Sequence, residues 1–365
     1  MVHKSDRLTD AEVHVIDLSS PDRKVAAAIL HSCVTTGFFY VSNHGVAQQI
    51  IENQWQQNRA FFDLPLKEKL LILADSNGRG YTPFSAESLD PEHQSQGDTK
   101  EGLVFGREVP ADGEEANLPL HGPNQWPPEG LLPGYKAAMQ AYMDAIRGLA
   151  DRLLPLIAIA LQLPTDFFDM HFDKPMIALR PLHYSAQTSL PDEGIYGAGA
   201  HTDYGLLTVL ATDENPGLQI CTEGKWAAVR PVPGTFIINL GDMLERWTNG
   251  YFRSTLHRVV NCVGKERYST AFFYNPNFNA RVEYLKASGA ALDSVPGTFT
   301  VALESKAGEL PLKPLSLIAV ILWDWCSIFM KRLNAFMVCT PRISADGPCM
   351  LFVPLTSHTL RTKGD

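Results

Sequence analysis

Paired cysteines are missing from this chain. Its six, Cys33, Cys221, Cys262, Cys326, Cys339 and Cys349, are scattered without a Cys-x-x-Cys, a spacing that suggests neither a zinc site nor a disulfide framework. A basic excess is missing as well. Forty acidic residues stand against 31 basic ones, a net charge of -9, which argues against nucleic acid as a partner because phosphates call for a basic face. The most apolar stretch, Leu315 to Met330, is broken by Asp324 and falls short of the ~20 apolar residues that span a bilayer, so no membrane partner is expected. The segment Met1 to Glu12 is polar and lacks the apolar run of a secretory signal, and a cytoplasmic, reducing location is the expectation. No internal repeat or low-complexity tract interrupts the chain.

What remains is ordinary globular material. The 365 residues are 45% hydrophobic and 19% charged, enough for a large core. Val13 to Leu18 and Phe38 to Val41 read as short strands, Pro21 to Thr36 as a helix stopped by Gly37, and Ile51, Trp55 and Phe62 mark a second helix interrupted by Pro65. Asp75 to about Gly97 reads as a loop. The strongest helical signal is the stripe Tyr135, Met139, Met143, Ile146, Leu149, Leu153, Ile157 and Leu161, a core-packing face that Pro155 is expected to kink or divide. From Ile177 to Tyr274 the pattern turns to short β-rich runs separated by Gly, Pro and Asn: 177–184, 205–211, 235–240, 254–260 and 267–274. Such spacing suggests a sandwich or jelly roll. Helices first and strands later, with no linker between them, favour one compact α+β domain.

Chemistry concentrates late in that β-rich stretch. His201-Thr-Asp203 is followed by His257 and then by Arg267-Tyr-Ser269. Two histidines and one carboxylate are the ligand set of a non-haem Fe(II) site that keeps positions open for substrate and oxygen. On a strand, residues i and i+2 share a face, so His201 and Asp203 are expected to reach one ion, and Arg267 and Ser269 one cavity. An arginine ten residues after the last histidine offers a planar fork for a carboxylate. Each piece alone is weak: a lone strand histidine is more often a satisfied core or surface residue, and a lone arginine an ion-pair partner. Order, spacing and β context carry the reading together. Asn239 and Asp242, beside Gly241, read as turn and capping residues.

These motifs resemble the plant-type, isopenicillin N synthase-like class of Fe(II)/2-oxoglutarate dioxygenases, from about Val13 to about Leu285. Gly37-Phe-Phe-Tyr-Val-Ser-Asn-His-Gly45 and Phe61-Phe-Asp-Leu-Pro65 with Glu68-Lys69 are similar to that family's N-terminal region. Asn239-Leu-Gly-Asp242 and Phe273-Tyr-Asn-Pro276 are similar to the stretches around its third ligand. The resemblance implies a double-stranded β-helix core with an N-terminal helical region and a long supporting helix. It divides the chain into an N-terminal region 1–130, a core 131–310 and an atypical tail 311–365. It implies His201, Asp203 and His257 as iron ligands, Arg267 and Ser269 on the distal carboxylate of 2-oxoglutarate, and Tyr184 hydrogen-bonded to that cosubstrate. Fe(II), 2-oxoglutarate, O2 and, as reductant, ascorbate are the implied cofactors; the partner is a small-molecule substrate and the chain a monomer. The reaction class is hydroxylation with release of succinate and CO2. The alternatives are an iron oxidase that needs no 2-oxoglutarate and a non-catalytic binder on the same fold.

Gly80-Tyr-Thr-Pro83, Gly97-Asp-Thr-Lys-Glu-Gly102, Gly122-Pro-Asn-Gln-Trp-Pro127 and Gly241-Asp-Met-Leu-Glu-Arg-Trp247 resemble the homoarginine 6-hydroxylase clade. A guanidinium substrate calls for buried carboxylates near the iron, and Glu87, Asp98, Glu101 and Glu245 are the candidates. Arg180, on the face of Leu182 and Tyr184, is expected to meet a substrate carboxylate, and Tyr204 to line the pocket. In the tail, Met330 to Ala335 reads as a remnant of the family's last helix.

Overall fold

The computed structural model describes residues 8–261, 264–282 and 285, and the backbone of 342–344 and 347–349. The first half gives β1 (His14–Asp17), α1 (Asp22–Thr35), β2 (Phe38–Ser42), α2 (Gln48–Phe62), α3 (Leu66–Lys69), β3 (Gly80–Thr82), β4 (Lys100–Gly106) and α4 (Tyr135–Ala160). The second half is mostly strand: β5 (Pro175–Tyr184), β6 (Ala198–His201), β7 (Leu207–Thr212), β8 (Leu218–Thr222), β9 (Lys225–Ala228) and β10 (Phe236–Leu240). After these come α5 (Asp242–Trp247), β11 (His257–Val259) and β12 (Arg267–Asn277). Contacts divide the chain into Met1–Ile318 and Ala319–Asp365. Of the second unit only two short antiparallel strands are described, β13 (Arg342–Ser344) and β14 (Gly347–Cys349). The expectations for Leu315 to Met330 and for a remnant helix at Met330 to Ala335 lie outside the described residues.

Two sheets form the α+β jelly roll. Eight strands run in the order β1-β2-β10-β7-β12-β5-β4-β3, and four in the order β6-β11-β8-β9. Period-2 alternation decides what each face of the large sheet does. On β12, Tyr268, Phe272 and Tyr274 enter the core shared with the helices, while Arg267, Ser269, Ala271 and Phe273 line a cavity on the other side. On β10, Phe236, Ile238 and Leu240 face the helices, and Ile237 and Asn239 turn away from them. Between the sheets, Phe38, Tyr40 and Ile237 of the large one meet Leu218 and Ile220 of the small one. The site therefore lies inside the sandwich, with helices backing one wall.

The helical backing departs from expectation at one point. Pro155 does not divide the long helix, since α4 runs unbroken for 26 residues. A proline inside a helix costs ~3 kcal/mol. Leu153, Leu154, Leu156 and Ile157, all buried around it, each contribute about 1.5–3 kcal/mol on burial, so packing outweighs the lost hydrogen bond. The expected loop 75–97 also contains β3, paired antiparallel with β4. β4 itself carries no clear strand pattern in the sequence, because two glycines, Gly102 and Gly106, interrupt it.

Candidate metal centre

His201 closes β6 and His257 opens β11, and the two are direct cross-strand partners. Asp203 is not on the strand as expected; it sits two residues beyond the end of β6. The loop carries it to the same point, because the Nε2 atoms of His201 and His257 lie 3.8 and 3.7 Å from Asp203 Oδ1. These three residues form the one group of possible metal donors among the described residues.

Each donor is aimed by a hydrogen bond on its other side. His201 Nδ1 is 2.8 Å from the Gly199 carbonyl and His257 Nδ1 is 2.9 Å from that of Thr255. Both rings therefore donate at Nδ1 and leave an Nε2 lone pair for a cation. Asp203 Oδ2 accepts from Thr208 Oγ1 at 2.6 Å and from Asn239 Nδ2 at 2.7 Å, which leaves Oδ1 facing the two rings. Burial and the neighbouring His257 pull the His201 pKa down to about 4, so its ring is neutral, the ligating form, at neutral pH. Burial raises the Asp203 pKa, but His257, His201 and the Thr208 and Asn239 hydrogen bonds outweigh it and hold the carboxyl below its usual range. Two imidazoles and a carboxylate are the donor set a divalent iron takes.

The loop bearing Asp203 is pinned from outside. Asp242 N–H donates to the Asp203 carbonyl at 2.7 Å and Met243 N–H to that of Tyr204 at 3.1 Å. A Cβ on Gly241 would overlap the Gly205 carbonyl oxygen, so glycine is what lets α5 come this close. Asn239 is more than the turn residue it resembles in sequence: it lies within the fully buried strand β10 and holds the candidate metal carboxylate. Asn239→Ala is expected to weaken Co(II) binding about 10–100-fold, as loss of a ligand-orienting partner does, with the melting temperature of the metal-free protein little changed. Unaltered Co(II) affinity would return Asn239 to a strand-packing role.

Beside the donors lies a cationic pocket. Tyr184 of β5 is the register partner of Arg267 of β12, and Leu182 of Ser269. The Arg267 guanidinium stands 4.9 Å over the Tyr184 ring, and Ser269 Oγ lies 3.5 Å from Tyr184 Oη. Arg267 is 3% exposed. Its Nε donates to the Asn215 carbonyl, and its Nη1 is buried without a hydrogen-bond partner among the described residues. A buried charge with a spare donor is costly unless an anion meets it, and a carboxylate such as that of 2-oxoglutarate fits this need.

The candidate substrate residues separate. Arg180 lines the same cavity, with its Nε buried and unpaired among the described residues and its Nη2 on Glu87. Lys100, which sequence reading did not single out, also lines the cavity and pairs with Glu87 and Asp98. Glu101 does not: strand parity turns it to the back of the sheet, where it accepts from Lys69 and Tyr81 and pairs with His183. Tyr204 does not line the cavity and is 39% exposed. Glu87, Asp98 and Glu245 are likewise not among the lining residues. Asp203 is the cavity's one carboxylate among the described residues.

Comparison with known proteins agrees with this architecture. Residues 13–129 match the family model described as the non-haem dioxygenase in morphine synthesis N-terminal, and residues 173–276 that of the 2OG-Fe(II) oxygenase superfamily. Azadirone synthase of Melia azedarach is 40% identical over 279 residues, which cover 74% of this chain and 83% of the relative. A 2-oxoglutarate-Fe(II) type oxidoreductase of Aspergillus fumigatus is 36% identical over 270 residues, covering 71% and 78%. A Neurospora crassa crystal structure with alpha-KG and thymine superposes with TM-score 0.67 at 30% identity, covering 76% of this chain and 90% of that one. Shared sequence across most of the chain, with the jelly roll and its convergent His, Asp and His, leads to one assignment: the chain belongs to the 2-oxoglutarate- and Fe(II)-dependent oxygenase superfamily.

Proposed function

We propose that this oxygenase holds Fe(II) with His201, Asp203 and His257 and grips 2-oxoglutarate with Arg267, Ser269 and Tyr184. Its proposed substrate is a small, largely apolar molecule carrying an oxygen acceptor. The single observation that carries the cosubstrate reading is the buried Arg267 Nη1, which has no hydrogen-bond partner among the described residues. Iron and 2-oxoglutarate together supply the oxidising chemistry, in which substrate C–H, O2 and 2-oxoglutarate become C–OH, succinate and CO2. The chain's residues do the rest. Arg267 and Ser269 fix the far carboxylate, Phe38 packs edge-on against His257 at 5.5 Å, and Leu182, Leu210, Leu218 and Val259 keep water from the reacting carbon.

The substrate reading rests on the cavity's charges. Arg180 and Lys100 face it, and the spare Arg180 Nε suits a carbonyl or carboxylate oxygen. Thymine, the ligand in the Neurospora relative, is a neutral ring with such oxygens. The homoarginine-hydroxylase resemblance would instead require an acid to receive a guanidinium, and among the described residues the lining supplies none beyond Asp203. A succinate-release screen of the Fe(II)-reconstituted protein decides between these. Carbonyl- and carboxylate-bearing apolar compounds are expected to stimulate release, while homoarginine and arginine are not. Stimulation by guanidino compounds alone would overturn the substrate reading, and substrate oxidation that proceeds without 2-oxoglutarate would overturn the cosubstrate reading.

A further inference from the structure

Four ionisable groups pair with one another beside the metal donors: Glu87, Asp98, Lys100 and Arg180. Asp98 is the most deeply placed, at 0% exposure. It accepts from three directions, from Lys100 Nζ, from Gln94 Nε2 at 2.8 Å and from the backbone N–H of Gly199 at 2.9 Å. The last bond is the informative one. β6 pairs with β11 at Ala198 and at His201, but the register shifts between them, which leaves Gly199 at an irregularity in the ladder. A bulge of this kind re-aims a side chain and leaves backbone groups in need of other partners. Asp98 is the partner here. The carbonyl of the same Gly199 accepts the Nδ1 proton of His201.

The geometry points to Asp98 as a positioning residue for His201. The carboxylate holds Gly199 by its N–H, and Gly199 holds the imidazole by its carbonyl. The inference rests on reading His201 as a metal ligand. Two other features favour it. A Cβ on Gly199 would overlap Gln94 Oε1, so the segment carrying Gln94 and Asp98 closes directly onto the bulge. His257 has a parallel arrangement: its Nδ1 meets the Thr255 carbonyl, and Thr255 Oγ1 donates to the Thr36 carbonyl at 2.7 Å. Each histidine thus leans on a carbonyl two residues earlier, and each of those residues is tethered by a different segment of the chain. For His201 the tether is a buried charge, which makes a stronger hydrogen bond than a neutral acceptor does.

The test is a Co(II) titration of the full chain, read by affinity and by the visible absorption that reports the ligand set. Asp98→Ala is expected to weaken Co(II) about 10–100-fold and to alter the absorption. Asp98→Asn keeps an oxygen for the Gly199 N–H but turns its NH2 toward Lys100 Nζ, which still has Glu87 as a partner at 3.3 Å, so it is expected to lose less than tenfold in Co(II) affinity and to keep the wild-type absorption. Unchanged Co(II) affinity in Asp98→Ala would overturn the inference. So would a loss in Asp98→Asn of tenfold or more, which keeps the proposal open to refutation if the alanine variant fails to fold. Wild-type protein that does not bind Co(II) would remove the ligand reading itself, a different outcome from wild-type binding with both variants unaffected.

Discussion

Asp203→Asn is expected to lower metal affinity and substrate-dependent succinate release by at least about 10³-fold, a loss of about 4 kcal/mol. The change is isosteric, so the effect follows from hydrogen-bond polarity and charge. Oδ2 already receives two donors, Thr208 Oγ1 and Asn239 Nδ2, and Oδ1 faces His201 and His257. An asparagine with its oxygen toward the metal would push its amide NH2 against those two donors. The opposite rotamer would satisfy them and turn the NH2 toward the ion, where it cannot ligate. Both arrangements lose, and both remove the one negative charge that offsets a divalent cation in the site. The check is Co(II) or Fe(II) titration beside succinate release, with circular dichroism to establish the fold. Retention of metal affinity within tenfold would mean that the carboxylate is not a ligand.

Much of this site was legible in the sequence because β12 is regular from Arg267 to Asn275. Arg267 and Ser269 share a face by simple alternation, and register then sets Tyr184 beside them. His257 was legible through its β-rich context. Asp203 reached its place by a different route from the one alternation suggests, since the loop after His201, pinned by α5, delivers it. Asn239 was misjudged for a physical reason. Gly241-Asp242 beside it is strong turn chemistry, and local sequence cannot show that Asn239 pairs with Thr208 across β10 and β7. That pairing sets both side chains against the same carboxylate oxygen. Lys100 was hidden in the same way, by two glycines in a strand whose identity depends on pairing with β5. Glu101 shows the converse. Its type and neighbourhood suited a substrate acid, and strand parity alone puts it behind the sheet with Lys69 and His183. Information about one strand was local; information about which strands meet was not.

Arg267→Met is expected to raise the dissociation constant for 2-oxoglutarate roughly 30- to 4000-fold, the equivalent of about 2–5 kcal/mol for truncating one partner of a buried charge pair. Arg267→Lys is expected to recover only part of this, because an ammonium on a flexible stem replaces a planar fork that can hold both carboxylate oxygens. The metal-free, cosubstrate-free fold should respond quite differently. There the methionine gives up the Nε bond to Asn215, about 1 kcal/mol, and the contact with the Tyr184 ring. It also removes a buried Nη1 with no partner, which offsets part of that loss. The variant should therefore melt close to the wild type without ligand, and keep the shift that Co(II) alone gives, yet lose most of the further upward shift that 2-oxoglutarate adds in the wild type, since stabilisation follows ligand concentration over dissociation constant. Co(II) affinity without 2-oxoglutarate should stay unchanged, because His201, Asp203 and His257 take no hydrogen bond from Arg267. The discriminating result is this separation. If Arg267→Met binds 2-oxoglutarate as tightly as the wild type does, the spare donor serves something else; if it loses Co(II) to the same degree, the arginine supports the metal loop rather than the cosubstrate.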